Sequence, residues 1–216
     1  LCLVARGRHD EALASLRRAI ESGREAPAAA LDLGTLLLER GKVREAAREF
    51  ERAIHWLPDT ADTHYALALA LLAQGDLAGA TMRLERATAL DPSHGPSHFR
   101  IGQIATRQGR HAEARHAYER ALAIVPAYAD VRYAHGRACE AVGDIPAAAV
   151  SYRHALALNV NFTDARVALA GLLGRKGERE AQELIRGARA YDPLHPGARS
   201  LDERHLAELL EEGVSG

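Results

Sequence analysis

Glycine recurs at Gly7, Gly41, Gly75, Gly109, Gly143 and Gly177, and each step is 34 residues. Alanine keeps the same period at Ala12, Ala46, Ala80, Ala114 and Ala148, and again at Ala19, Ala53, Ala87, Ala121 and Ala155. Pro58, Pro92 and Pro126 form a fourth series. A period this regular, kept through most of 216 residues, argues against one central core. It calls for a small folding unit repeated along the chain, each copy burying its apolar face on the next.

The unit reads as helix, turn, helix. In residues 27–60, Leu31, Leu33, Leu36, Leu37 and Leu38 make the apolar side of a first helix. Gly41 follows, where a helix end favours a residue tolerant of positive φ. Val43, Ala46, Phe50, Ala53, Ile54 and Leu57 then recur at three- and four-residue steps along a second helix. Pro58 closes it. A connection this short sets the two helices antiparallel. Gly34, Gly102, Gly136, Ala46 and its counterparts are expected at close approaches, with Phe50, Leu84, Tyr118 and Tyr152 filling the space between. Trp56 shares its register with Leu90, Ile124 and Leu158, so an inter-repeat core position is expected for it.

The 34-residue period, the first-helix glycine, the turn glycine, the paired alanines and the closing proline resemble the tetratricopeptide repeat, over nearly the whole chain. The resemblance implies an all-α fold, a right-handed α-solenoid of stacked antiparallel helix pairs. Complete units are read at 27–60, 61–94, 95–128 and 129–162, and a unit one residue short at 163–195. Residues 1–26 read as a truncated first unit, so a fragment of a longer protein is expected. Residues 196–216, with Leu201, Leu206, Leu209 and Leu210, read as a C-terminal capping helix. Gly171 and Gly174, inside the first helix of the short unit, make it the least stable complete unit expected.

Chemistry is sparse. Hydrophobic residues make up 47% and charged residues 26%, the balance of an ordered chain. A formal net charge of −1 and basic pairs interrupted by acids argue against a nucleic-acid partner. No apolar run reaches the ~18 residues of a membrane span. Lys42 and Lys176 are the two lysines among 28 basic residues, a bias that points to a GC-rich bacterial coding sequence. Cys2 and Cys139 form no metal-ligand spacing and read as reduced thiols. Among eleven histidines, His94 and His98 are four apart, but Gly95 and Pro96 are expected to break their register. His64 and His98 are expected to pack near the start of first helices. No HExxH, GxxxxGK[ST] or GxSxG occurs. No catalytic residue, metal or other cofactor is therefore expected, and the chain reads as a non-enzyme. A cytoplasmic setting is favoured, or a periplasmic one if the parent chain carries a signal peptide.

The resemblance further implies that the first helices line a concave groove. By register, its residues are Asp62, Tyr65, Leu69 and Leu72; Phe99, Arg100, Gln103, Thr106 and Arg107; and Asp130, Tyr133, Arg137 and Glu140. Leu31, Thr35 and Leu38, and Asp164, Val167 and Arg175, extend it at either end. Tyr65, Phe99 and Tyr133 form an aromatic ladder, which serves packing alone or packing and ligand contact. Aromatic and arginine side chains dominate binding hot spots. The chaperone-tail clamp of some family members does not match, because Leu31, Thr35, Ala66 and Pro96 stand where its lysines and asparagines would. The asparagine ladder of sugar-transferring members is likewise replaced by Asp32, Ala66, Arg100, Ala134 and Ala168. The function expected is a non-catalytic scaffold that binds a peptide or helix of a partner protein. The alternatives are a substrate-docking arm of a larger enzyme and a self-assembly module, a homo-oligomer through the truncated N-terminal face.

Overall fold

The computed structural model describes residues 9–22, 27–56, 59–173 and 178–201, and no strand occurs among them. The helices are α1 (His9–Glu21), α2 (Pro27–Glu39), α3 (Val43–Trp56), α4 (Ala61–Gln74), α5 (Leu77–Leu90) and α6 (Gly95–Arg107). They continue with α7 (His111–Ile124), α8 (Ala129–Ala141), α9 (Ile145–Leu158), α10 (Thr163–Leu173) and α11 (Glu178–Tyr191). Residues 196–201 are also helical. The expected helix at Leu1–Arg6 lies outside the described residues, as do Cys2, Gly7, Leu57, Pro58, Gly174, Arg175, Gly177, Leu206, Leu209 and Leu210. The fold is the all-α helix-pair solenoid expected. Within repeats, α2 packs on α3, α4 on α5, α8 on α9 and α10 on α11. Between repeats, α1 packs on α2, α3 on α4, α7 on α8 and α9 on α10. The chain divides into two compact units, Leu1–Ile104 and Ala105–Gly216, with the boundary inside α6.

The turn glycines do what their period implies. At the end of α4, Gly75 takes a φ of 83° and its N–H reaches the carbonyls of Leu71 and Leu72. An L side chain would be strained in that left-handed conformation. Gly41, Gly109 and Gly143 share it. The next helix is then started by a side chain: Asp76 accepts from the N–H of Gly79 at 2.9 Å, and Asp144 from Ala147 at 3.1 Å. Each such cap is worth about 1 kcal/mol.

The first-helix glycine makes room for one ring. A Cβ on Gly34 would lie 2.6 Å from Phe50, and one on Gly136 would lie 2.5 Å from Tyr152. Both rings are almost fully buried. Where the glycine becomes alanine the ring is gone: Ala68 clusters with Leu84, and Ala170 with Ile185. Volume is thus conserved across each helix pair, as a close-packed interior requires. The two alanine series are buried as expected from Ala46 to Ala155, with Ala188 continuing the second series. Ala19 differs and is exposed. Trp56 also departs from expectation. It is half-buried at the last turn of α3, and the Arg52 guanidinium lies 5.5 Å from its ring centroid.

Successive repeats are tied at the fourth residue of the unit. His98 Nε2 is 3.0 Å from the carbonyl of Pro92, Arg132 Nε donates to that of Pro126 at 3.3 Å, and Arg166 Nε to that of Val160 at 3.0 Å. His64, in the same place, instead meets the carboxylate of Asp59, which also takes Arg86. Those two contacts, Arg86 first, hold the Asp59 carboxyl below its usual range. His64 and His98 are buried, in keeping with a packing role.

The glycine–ring fit is open to a direct test. Gly136→Ala should destabilise the protein by about 1–3 kcal/mol through overpacking. Adding Tyr152→Leu, which copies the Ala68–Leu84 pair, should recover a large part of that loss. Urea unfolding of the single and double variants measures both, and strict additivity would disprove the fit.

Candidate functional site

In the first unit, Asp62, Tyr65, Leu69 and Leu72 lie along α4 at three- and four-residue steps, on one helix face. Asp62 is exposed and the other three are half-buried. Tyr65 and Leu72 also pack against the cluster of Ala68, Ala80, Leu84 and Ile104, so part of each serves the core. Phe99, Arg100 and Gln103 are half-buried on α6. Arg100 donates to the Gln103 carbonyl at 2.8 Å, while its buried Nε has no hydrogen-bond partner.

In the second unit, Asp130, Tyr133, Arg137 and Glu140 share one face of α8, and Arg107 is exposed at the end of α6. Arg137 donates to the Tyr133 hydroxyl at 3.3 Å and lies 3.9 Å from Glu140. Its side chain is 60% exposed, so the guanidinium is oriented by two neighbours yet open to solvent. Glu140 has a second duty that its place in the repeat did not reveal. The buried Tyr152 donates its hydroxyl to Glu140 at 2.7 Å. Burial and this carboxylate push the Tyr152 phenol far above its ordinary value. The hydroxyls of Thr106 and Tyr118 are likewise hydrogen-bonded to each other, at 3.0 Å. The residues at these two places of the preceding unit, Leu72 and Leu84, are both apolar and share one cluster. The residue at this place of the first helix and the one it meets on the second are therefore chemically matched.

Further rings pack on Tyr65 and Tyr133. Tyr65 stacks edge-on with His94, with centroids 5.2 Å apart. Tyr133 packs against Phe162 at 5.1 Å and against Tyr152 at 5.7 Å. His94 and Phe162 both occupy the last place of their repeats, which is the signal that could have found them. His94 also joins adjacent first helices. Its Nδ1 accepts from the Ser97 N–H at 3.3 Å and its Nε2 lies 3.2 Å from Asp62. Gly95 and Pro96 follow His94, which lies just outside α6 and so shares no helix face with His98, as expected. They form the first turn of α6, where the missing proline N–H is harmless. His195 repeats the device, with Nδ1 facing the Ala198 N–H at 3.4 Å and Nε2 facing Asp164 at 3.0 Å. Among the described residues, no group of three His, Cys, Asp or Glu side chains is placed to hold a metal ion. None of the described helices is long and apolar enough to cross a membrane.

Family models of the tetratricopeptide repeat match residues 3–72 and 65–129, together more than half of the chain. The chain belongs to the tetratricopeptide-repeat family. Solved tetratricopeptide-type structures agree in fold. The protein pilF of Pseudomonas aeruginosa is 24% identical with a TM-score of 0.74, covering 87% of this chain and 85% of its own. YrrB, described as a tetratricopeptide protein with an unusual peptide-binding site, is 17% identical with a TM-score of 0.73, covering 87% and 97%. MamA from Desulfovibrio magneticus RS-1 is 19% identical with a TM-score of 0.71, covering 81% and 98%. No curated protein matches. Tetratricopeptide proteins are generally non-catalytic interaction scaffolds.

The other side of α8 carries a buried polar chain. The Ser151 hydroxyl donates to the Ala147 carbonyl at 2.8 Å, which leaves it to accept from His135 Nδ1 at 2.8 Å. His135 Nε2 then faces Cys139 Sγ at 3.5 Å and Glu119 at 3.6 Å. Burial lowers the His135 pKa, with Glu119 opposing. Burial likewise raises the Cys139 thiol. A histidine held neutral by the fold takes up its proton at lower pH than in the unfolded chain, so its linkage has one sign. The stability should be complete above the unfolded value of about 6.5 and decline as pH falls from there toward the depressed folded value. His135→Gln should flatten that decline in urea midpoints measured across pH, and an unchanged slope would remove His135 from the account.

Proposed function

We propose that this chain is a non-catalytic scaffold that binds an extended or helical peptide of a partner protein along the inner faces of its first helices. The observation that carries the reading is Arg137. Its guanidinium is oriented by Tyr133 and Glu140 and yet stays open to solvent. Little side-chain entropy is lost when an oriented group of this kind meets a carboxylate. Tyr65 and Tyr133 support the reading as half-buried rings steadied by His94 and Phe162. Rigid, partly exposed aromatic and arginine groups are the usual anchors of protein interfaces. The full set comprises Asp62, Tyr65, Leu69, Leu72, Phe99, Arg100 and Gln103 in the first unit, with Arg107, Asp130, Tyr133, Arg137 and Glu140 in the second. The partner that fits is a peptide with apolar anchors and at least one acidic group. YrrB, alike in fold, is itself described as having a peptide-binding site.

Glu140 belongs to this set in a different sense from Arg137. It accepts from Tyr152, so its substitution disturbs the core as well as the surface. Tyr65, Phe99 and Arg137 are better probes. The triple variant Tyr65→Ala, Phe99→Ala and Arg137→Ala should lose the partner captured by the wild-type chain and identified by mass spectrometry. Helical content should stay unchanged. Capture at wild-type strength by a folded triple variant would refute the groove assignment.

A further inference from the structure

The inner face of the first unit holds a positive charge that no described carboxylate answers. Arg100 is half-buried on α6. Its Nη1 donates to Gln103 Oε1 at 2.8 Å, a neutral acceptor. Its Nε is sealed from solvent without a hydrogen-bond partner, the one arginine nitrogen so placed among the described residues. Nη2 also has no partner among the described residues, but it stays open to solvent.

Carboxylates are scarce around it. α6 contains no acidic residue, and α4 contains one, Asp62, which faces His94 at 3.2 Å. Arg115, also half-buried, differs: it donates to Glu119 at 2.9 Å and to Asp144 at 3.2 Å. Arg137 has Glu140 at 3.9 Å. A guanidinium drawn partly out of water keeps a charge that a neutral amide offsets only in part. A carboxylate arriving at Nη2 makes a charge-assisted hydrogen bond and supplies the counter-charge in the same step. By register, Arg100 stands beside Ala66 and Gln103 beside Leu69, both half-buried on α4. A peptide lying on that apolar strip excludes water, which strengthens the pairing. Phe99 precedes Arg100 and Gln103 follows one turn later, so face residues flank the arginine on both sides along α6. A chain passing over it meets it with a side chain and not with its end.

Resting on the peptide-scaffold reading above, we propose that Arg100 selects the ligand. It pairs with one aspartate or glutamate side chain inside the bound peptide, between residues that lie on the apolar strip.

The probe is a library of random peptides displayed on phage with their C-termini fused to the coat protein, so that only side chains offer a carboxylate. The wild-type chain should enrich peptides with an acid at a fixed distance from apolar residues. For one such peptide made by synthesis, Arg100→Met should raise Kd by about tenfold or more. With the peptide's acid replaced by its amide, variant and wild type should agree within about twofold. Helical content should be unchanged, because Ala66 fills the same place without a charge. Enriched peptides that carry no acid overturn the proposal. So does a loss that is equally large with the amide peptide, or an acid preference that survives Arg100→Met and disappears with Arg137→Met. In those cases, peptides that the Tyr65→Ala, Phe99→Ala and Arg137→Ala variant fails to bind leave the groove reading standing. If the wild-type chain enriches no peptide, or that triple variant binds the same ones, the groove assignment itself fails and this inference with it.

Discussion

A ring lying where a side chain is missing sets the spacing of the helix pairs. Phe50 fills the space over Gly34, and Tyr152 the space over Gly136. The contact fixes how near the second helix comes to the first, and so fixes where the outer face of the first helix stands. Packing at this density does not deform smoothly, which is why the alternative is a matched replacement and not a compromise. Ala68 with Leu84 and Ala170 with Ile185 are those replacements. The repeat tolerates two solutions of nearly equal volume and keeps its geometry through both.

The link between repeats follows a different rule, because one partner is backbone. His98, Arg132 and Arg166 all reach a main-chain carbonyl six residues earlier. A carbonyl is present whatever the side chain, so Val160 can stand where Pro92 and Pro126 stand without losing the tie. The closing proline is thus dispensable for the joint. Its value lies in stopping the preceding helix. The Asn161 N–H donates to the Asn159 side chain at 3.1 Å, the same turn that Asp91 and the Ser93 N–H make around Pro92.

The period made the helix boundaries, the turn glycines and the buried alanines legible, because each depends on one residue type at one place. Properties that depend on two residues far apart were not legible. Glu140 reads as a groove acid from its register alone, and only the position of Tyr152 shows that it also completes the core. His94 reads only as a residue out of register with His98, and the structure shows that it caps α6 and packs on Tyr65. Trp56 reads as core from its counterparts, but a cation lies over its exposed side.

The matched pairs Thr106 with Tyr118 and Glu140 with Tyr152 bear on how such a chain can change partner. A buried tyrosine hydroxyl left without an acceptor costs about 1–3 kcal/mol. Glu140 therefore cannot become leucine freely unless Tyr152 loses its hydroxyl as well. Tyr65, Asp62 and Arg137 carry no such debt to a buried hydroxyl. Arg137 has the most freedom of the three, because Tyr65 also packs on the Ala68–Leu84 cluster and Asp62 meets His94.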